Sequence, residues 1–161
     1  MRRRRGQAAA IAAALAGACA LLAPGAANAD PTEEEAEELR LDPDYAAGRK
    51  AIEARDWAGA IRLFSSAALR DTRNADIQNF LGYAYRNSGD LALAFRHYHR
   101  ALQLNARHRG AHEYLGEAYL MSGNLAKAEE HLALLGKICL IPCEEHGMLE
   151  KKVAEYRARP R

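Results

Sequence analysis

Residues 75–131 read ADIQNFLGYAYRNSGDLALAFRHYHRALQLNARHRGAHEYLGEAYLMSGNLAKAEEH, and they carry the clearest indication of the fold. A pattern recurs in it at a constant repeat interval of about 34 residues, which is the length of a two-helix unit. Two such antiparallel helices must stack on neighbouring units to bury their apolar faces. The repeat interval therefore predicts an all-α solenoid of three stacked helical hairpins. The matching positions are Gly48, Gly82 and Gly116, then Ala60, Ala94 and Ala128, then Phe64, Tyr98 and Leu132.

Capping and turn residues place the helices inside each unit. Asp42-Pro43 and Asn74 are typical helix starts, and Gly89 and Gly123 suit tight turns between paired helices. The predicted helices cover 42–55, 56–70, 75–87, 91–104, 109–121 and 125–138, in units of about 41–74, 75–108 and 109–142. A seventh helix over 144–157, with an apolar stripe and no partner helix, is predicted to cap the stack within 143–161.

Residues 1–29 have the pattern of a signal peptide. A basic Arg2–Arg5 segment precedes an Ala-rich apolar run, and Ala27-Asn28-Ala29 offers a small-x-small cleavage site. The sequence predicts cleavage before Asp30, an acidic and flexible leader over 30–41, and a periplasmic protein. A membrane anchor is disfavoured because the apolar run ends at Pro24-Gly25, and a lipoprotein because Cys19 lacks the usual preceding Leu.

Export changes the charge of the chain. Removing four arginines from 23 Lys and Arg leaves 19 against 21 Asp and Glu, a formal charge near −2. Nucleic-acid binding requires clustered basic surface, which this composition does not offer, and no polybasic face for a membrane surface is present. We therefore expect no nucleic-acid partner and no membrane span after cleavage.

Two of the units resemble the tetratricopeptide repeat. The residues that carry the likeness are Leu81-Gly82, Tyr85, Ala94, Tyr98 and Ala101, then Leu115-Gly116, Tyr119 and Ala128. Residues 75–131 followed by Cys139-x-x-x-Cys143-Glu144-Glu145 resemble small exported bacterial proteins of this family. The resemblance implies an envelope location and a surface that binds proteins or peptides, and it implies no catalytic activity.

In this family the first helix of each unit lines a concave face. Residues one or two turns apart on those helices should form a polar groove studded with aromatic rings. We expect Tyr83→Ala or Arg86→Ala to abolish partner binding without lowering stability. The predicted binding residues are Tyr45, Arg49, Asn79, Tyr83, Arg86, Asn87, Glu113 and Glu117, with Glu53 and Met121 on the same faces.

Two cysteines, Cys139 and Cys143, remain after export. An oxidising envelope favours a structural disulfide between them, which would hold the seventh helix to the stack. The alternative is a thiol-redox or soft-metal function, because Cys143 lies at a predicted helix start and His146 is one turn away.

Other chemistry has weak support in the sequence. His108 and His112 are four positions apart and could share a metal only if the intervening turn is helical. No Ser-His-Asp set, phosphate-binding loop or paired carboxylates of a cleft appear. The sequence predicts a periplasmic adaptor that is not an enzyme and uses no cofactor.

Overall fold

The computed structural model describes residues 42–141 and 143–159, which form seven helices packed as stacked hairpins. The predicted signal peptide and acidic leader lie outside the described residues. None of the helices in the described ranges is long and apolar enough to span a membrane. The helices are α1 (Pro43–Glu53), α2 (Trp57–Arg70), α3 (Ala75–Ser88), α4 (Leu91–Leu104), α5 (Arg109–Met121), α6 (Leu125–Ile138) and α7 (Glu144–Arg157).

Short polar side chains start most of these helices. Asp42 accepts hydrogen bonds from two backbone N–H groups of α1, and Pro43 follows it in the first turn, as predicted. Asn74 does the same at α3. Such caps satisfy N–H groups that have no partner inside the helix. The other caps are Asp56, Asp90, His108 and Asn124, whereas Cys143 makes no side-chain cap bond at α7.

The turn inside each hairpin requires a left-handed residue. Gly89 has φ 94° and Gly123 has φ 79°, so both predicted turn glycines adopt the conformation that favours glycine. In the first hairpin the equivalent residue is Arg55, with φ 57°. A residue with a Cβ costs roughly 1–2 kcal/mol there, so the first turn carries strain that the other two avoid.

The core is built where repeated glycines meet large side chains. A Cβ at Gly48 would come 2.9 Å from the ring of Phe64, and one at Gly82 would come 2.6 Å from the ring of Tyr98. In the third hairpin the periodicity predicts the same role for Leu132, yet the side chain over Gly116 is Leu149 of α7, 2.6 Å from a Cβ there. The capping helix therefore completes the third hairpin.

The stack has an inner and an outer layer. The first helices contact one another directly, α3 with α5 and α5 with α7, in addition to their contacts with the neighbouring second helices. The first helices therefore form the inner layer, and the faces that they turn toward one another are closely packed. This crowding decides how much of the predicted groove is open.

Candidate functional site

The centre of the inner layer is a cluster of aromatic and charged side chains from α3 and α5, with one ring from α2. The rings of Tyr83 and Tyr114 have centroids 4.9 Å apart, and the ring of Trp57 lies 6.1 Å from that of Tyr83. The guanidinium carbon of Arg86 lies 5.2 Å and 5.3 Å from the centroids of these two tyrosine rings. Arg86 also forms an ion pair with Glu117 of the adjacent inner helix, α5. We call these five residues the central cluster.

The burial of Arg86 corrects one prediction. Arg86 is 7% exposed, so it lies in the floor of the groove and is not available on its surface. Its removal would leave Glu117 without its cation, and a broken buried ion pair is costly. Arg86→Ala is therefore expected to lower stability, contrary to the sequence-based prediction. Tyr83 is half-buried and remains a suitable probe of binding.

Two predicted groove residues are also buried, and one polar atom of each lacks a hydrogen-bond partner. Asn79 is 4% exposed and Glu113 is 3% exposed. Within the described ranges, Asn79 Oδ1 and Glu113 Oε1 accept no hydrogen bond. The hydroxyl group of Tyr98 also has no hydrogen-bond partner there. Buried polar atoms are almost always paired, so these unpartnered acceptors mark an unusual place in the molecule.

The carboxyl group of Glu113 has a perturbed acidity. Burial, followed by the nearby charges of Glu117 and Glu145, raises its pKa to about 7, and Arg86 opposes this shift. Near neutral pH the group therefore exchanges readily between its acid and its carboxylate form.

The remaining predicted residues divide between the core and the surface. Tyr45, predicted as a groove residue, is partly buried and packs edge-on against Phe64 at 5.7 Å and Phe80 at 5.8 Å, beside the core of the first hairpin. Arg49 is exposed on α1. Asn87 is exposed, and its side-chain amide donates to the carbonyl of Tyr83 at 2.8 Å.

A depression of about 230 Å³ lies beside Glu117, between α5 and α7. Its walls carry both charges and apolar groups, so it could receive a side chain of either kind. The sequence pattern did not indicate this site because the depression depends on how α7 packs. Its lining residues are Glu117, Leu120, Met121, Lys152, Glu155, Tyr156 and Arg159.

The two cysteines are joined as a disulfide, with their Cα atoms 5.9 Å apart. This agrees with the predicted bridge, and it leaves neither thiol free as a metal ligand or nucleophile. His146 lies against Gly136 of α6 and does not complete a ligand set. No group of three or more potential ligands within 42–141 and 143–159 could hold a metal ion.

The histidines pair differently from the predicted alternative. His108 caps α5, and its Nε2 lies 2.9 Å from Asp76 Oδ1, so it does not converge with His112. Instead, His112 Nδ1 lies 2.9 Å from His131 Nδ1, and both side chains are buried. The repeat interval relates this pair to Gln78 and His97, whose side chains also lie 2.9 Å apart. That equivalence is the signal that could have revealed the pair.

Comparison with known proteins agrees with this architecture. Residues 85–138 match the model of the tetratricopeptide repeat family. The type III secretion translocator chaperone SycD of Yersinia enterocolitica superposes with a TM-score of 0.65 at 17% identity, over 80% of this chain and 87% of SycD. SycD in complex with a peptide of the translocator YopD gives 0.63 at 19% identity, over 78% and 93% of the two chains.

A third similar structure is the first tetratricopeptide domain of Spaghetti (RPAP3) bound to the HSP90 peptide SRMEEVD. It has a TM-score of 0.62 and 19% identity, over 77% of this chain and 95% of that domain. No curated protein matches the chain by sequence. Residues 85–138 are therefore similar to the tetratricopeptide repeat, and the chain has the fold of tetratricopeptide domains.

Proposed function

We propose that this protein is a non-catalytic periplasmic adaptor whose inner groove binds an extended segment of a protein partner in the cell envelope. The observation that carries the proposal is the pair of unpartnered acceptors, Asn79 Oδ1 and Glu113 Oε1, beside the central cluster. An unsatisfied buried polar group costs roughly 1–3 kcal/mol, so a ligand that supplies donors would gain affinity there.

The surrounding side chains suit a peptide. Tyr83 and Trp57 present amphipathic rings, which are the side chains most often found as binding hot spots. The depression beside Glu117 offers a second place for a partner side chain. The fold is one that holds peptides in SycD and in RPAP3, which supports the same use here. The basic and apolar start of the sequence supports the envelope location.

The test is affinity capture from an envelope extract with matched baits. We expect Tyr83→Ala to lose the captured partner, because the ring lies at the centre of the groove. Arg100→Ala, at an exposed position on α4, serves as the matched control and should retain it. Peptide fragments of the captured protein should then compete with it. If Tyr83→Ala captures the partner as well as Arg100→Ala does, binding through the groove is contradicted.

A further inference from the structure

We propose that the groove selects a basic segment, with a cationic N–H donor of the partner lying among the carboxylates of α5 and α7. The donor would be a Lys or Arg side chain or a free amine. This inference rests on the proposed function, because it specifies the chemistry of the segment that the same groove receives.

The carboxylates around Glu113 outnumber the cations there. Glu117 on α5 and Glu144 and Glu145 on α7 all act electrostatically on Glu113. Two of these four acids have a cationic partner among the described residues, since Arg86 pairs with Glu117 and Arg109 Nε lies 3.4 Å from Glu145 Oε1. Glu113 and Glu144 form no ion pair with a described residue. An arriving cation would therefore be stabilised beside them and an arriving anion repelled.

The unpartnered atoms point to the same ligand. Asn79 Oδ1 and ionised Glu113 Oε1 can only accept hydrogen bonds, and Lys and Arg can only donate them. The central arginine, Arg86, is already held by Glu117 and by two tyrosine rings, so it is not available to a ligand carboxylate. The groove centre is therefore built to complement a donor.

The spacing of Asn79 and Glu113 indicates how the bound segment runs along the groove. Asn79 and Glu113 are one repeat interval apart on adjacent inner helices, so they are separated by about one helix spacing of roughly 8–10 Å. An extended chain advances about 3.3 Å per residue, so some three residues cover that distance. A basic side chain at Glu113 thus places a backbone N–H of the same segment near Asn79.

Proton release should accompany binding. The pKa of Glu113 is raised to about 7, chiefly by burial and then by Glu117 and Glu145, so both the protonated and the ionised form are populated near pH 7. A cation among the carboxylates favours the ionised form and expels the proton. The charged and titratable groups facing Glu113 are Glu117 and Tyr114 on α5, Arg86 on α3, and Glu144 and Glu145 on α7, the last of which is paired with Arg109 of α5.

The experiment compares pools of nonapeptides that are acetylated and amidated at their ends and carry a fixed central Lys, Gln or Glu among randomised uncharged residues. We expect the purified protein to retain the Lys pool about tenfold better than the Gln pool, and the Glu pool least. Glu113→Gln should remove the preference for Lys. Glu150→Gln, at an exposed position of α7, is the matched control and should keep it.

Calorimetry with a selected Lys peptide gives a second readout. Titrations at pH 7 in buffers of different ionisation enthalpy should show release of a fraction of a proton for each peptide bound, which Glu113→Gln abolishes. Unacetylated peptides of the Gln pool identify the donor. If they bind better than the acetylated ones and require Glu113, a terminal amine satisfies the site and supports the inference.

The possible failures are distinguishable. If the Gln or Glu pool binds as well as the Lys pool and Tyr83→Ala still abolishes binding, the groove binds peptides but the basic preference is overturned. If Tyr83→Ala changes the retention of no pool, the proposed function fails as well. A preference for Lys that survives in Glu113→Gln would also overturn this inference, because the selecting charge would lie elsewhere.

Discussion

Individual glycines in this stack differ in what lies beside them. Gly82 faces the fully buried ring of Tyr98, and a Cβ would come 2.6 Å from two ring atoms. Gly147 lies on α7, and a Cβ there would meet nothing within 4 Å. Both residues are helical, so the same substitution at the two positions separates packing from helix propensity.

Gly82→Ala should therefore destabilise the protein, whereas Gly147→Ala should stabilise it. Overpacking against a ring that cannot move aside costs roughly 1–3 kcal/mol. Replacing an unpacked helical glycine with alanine gains roughly 0.5–1 kcal/mol. Chemical denaturation of both variants measures the difference. A Gly82→Ala protein as stable as the wild type would mean that α3 and α4 do not approach as the structure shows.

Within the hairpin of α5 and α6, the two buried histidines form a titratable contact. His112 Nε2 lies 3.1 Å from the carbonyl oxygen of Ala106, so it carries a proton and donates there. Neutral His112 therefore accepts at Nδ1 from His131. Burial, reinforced by the neighbouring His112, lowers the pKa of His131 from 6.5 to about 4.

This shift predicts acid sensitivity of the third hairpin. Between about pH 6.5 and 4 the unfolded chain binds a proton at residue 131 that the folded chain does not, so stability falls as the pH falls. His131→Gln keeps a partner for His112, as the pair of Gln78 and His97 shows. When the pH is lowered from 7 to 4, the free energy of unfolding should fall by roughly 2–3 kcal/mol less in the variant than in the wild type.

Denaturation curves at several pH values would measure this difference. The contribution of Glu113 has the opposite sign, because a raised pKa makes stability fall as the pH rises from 4.5 to about 7. It is present in both proteins and cancels in the comparison. Parallel stability curves for the wild type and His131→Gln would show that His131 ionises alike in the folded and unfolded chains.

At the scale of the whole molecule, the end of the stack depends on α7. Leu149 is fully buried over Gly116, and Val153 is buried beside it against α5 and α6. The disulfide of Cys139 and Cys143 holds the connection to this helix, but its two ends are only four positions apart in the chain. The contributions of the apolar contacts and of the disulfide to stability can therefore be compared directly.

Leu149→Ala should cost roughly 2–5 kcal/mol, because it opens a cavity that the backbone at Gly116 cannot fill. The Cys139→Ser, Cys143→Ser double variant should lose at most about 2 kcal/mol, since a short loop restricts the unfolded chain little. Denaturation of both proteins gives the two values. A larger loss in the double variant would show that the disulfide, and not the apolar contact, fastens α7.

Much of the local structure could be predicted from sequence. The predicted helices agree closely with the observed ones at both ends, from Pro43 to Arg157. Caps such as Asp42 and Asn74 and turn residues such as Gly89 act within a few positions of themselves. Their effect needs no knowledge of which helices meet. The repeat interval then determined the stacking, because each hairpin has to bury the same face.

Which polar residues of that stack are buried and paired depends on contacts between helices and could not be predicted from the repeat. The repeat pattern assigns Arg86 and Glu113 correctly to the inner helices, but the packing of α3, α5 and α7 buries both side chains in the floor of the groove. The presence of Leu149 instead of Leu132 at Gly116 has the same origin. Burial and the pairing of charges depend on side chains from different helices, far apart in the chain, and a repeating pattern fixes their position without fixing their neighbours.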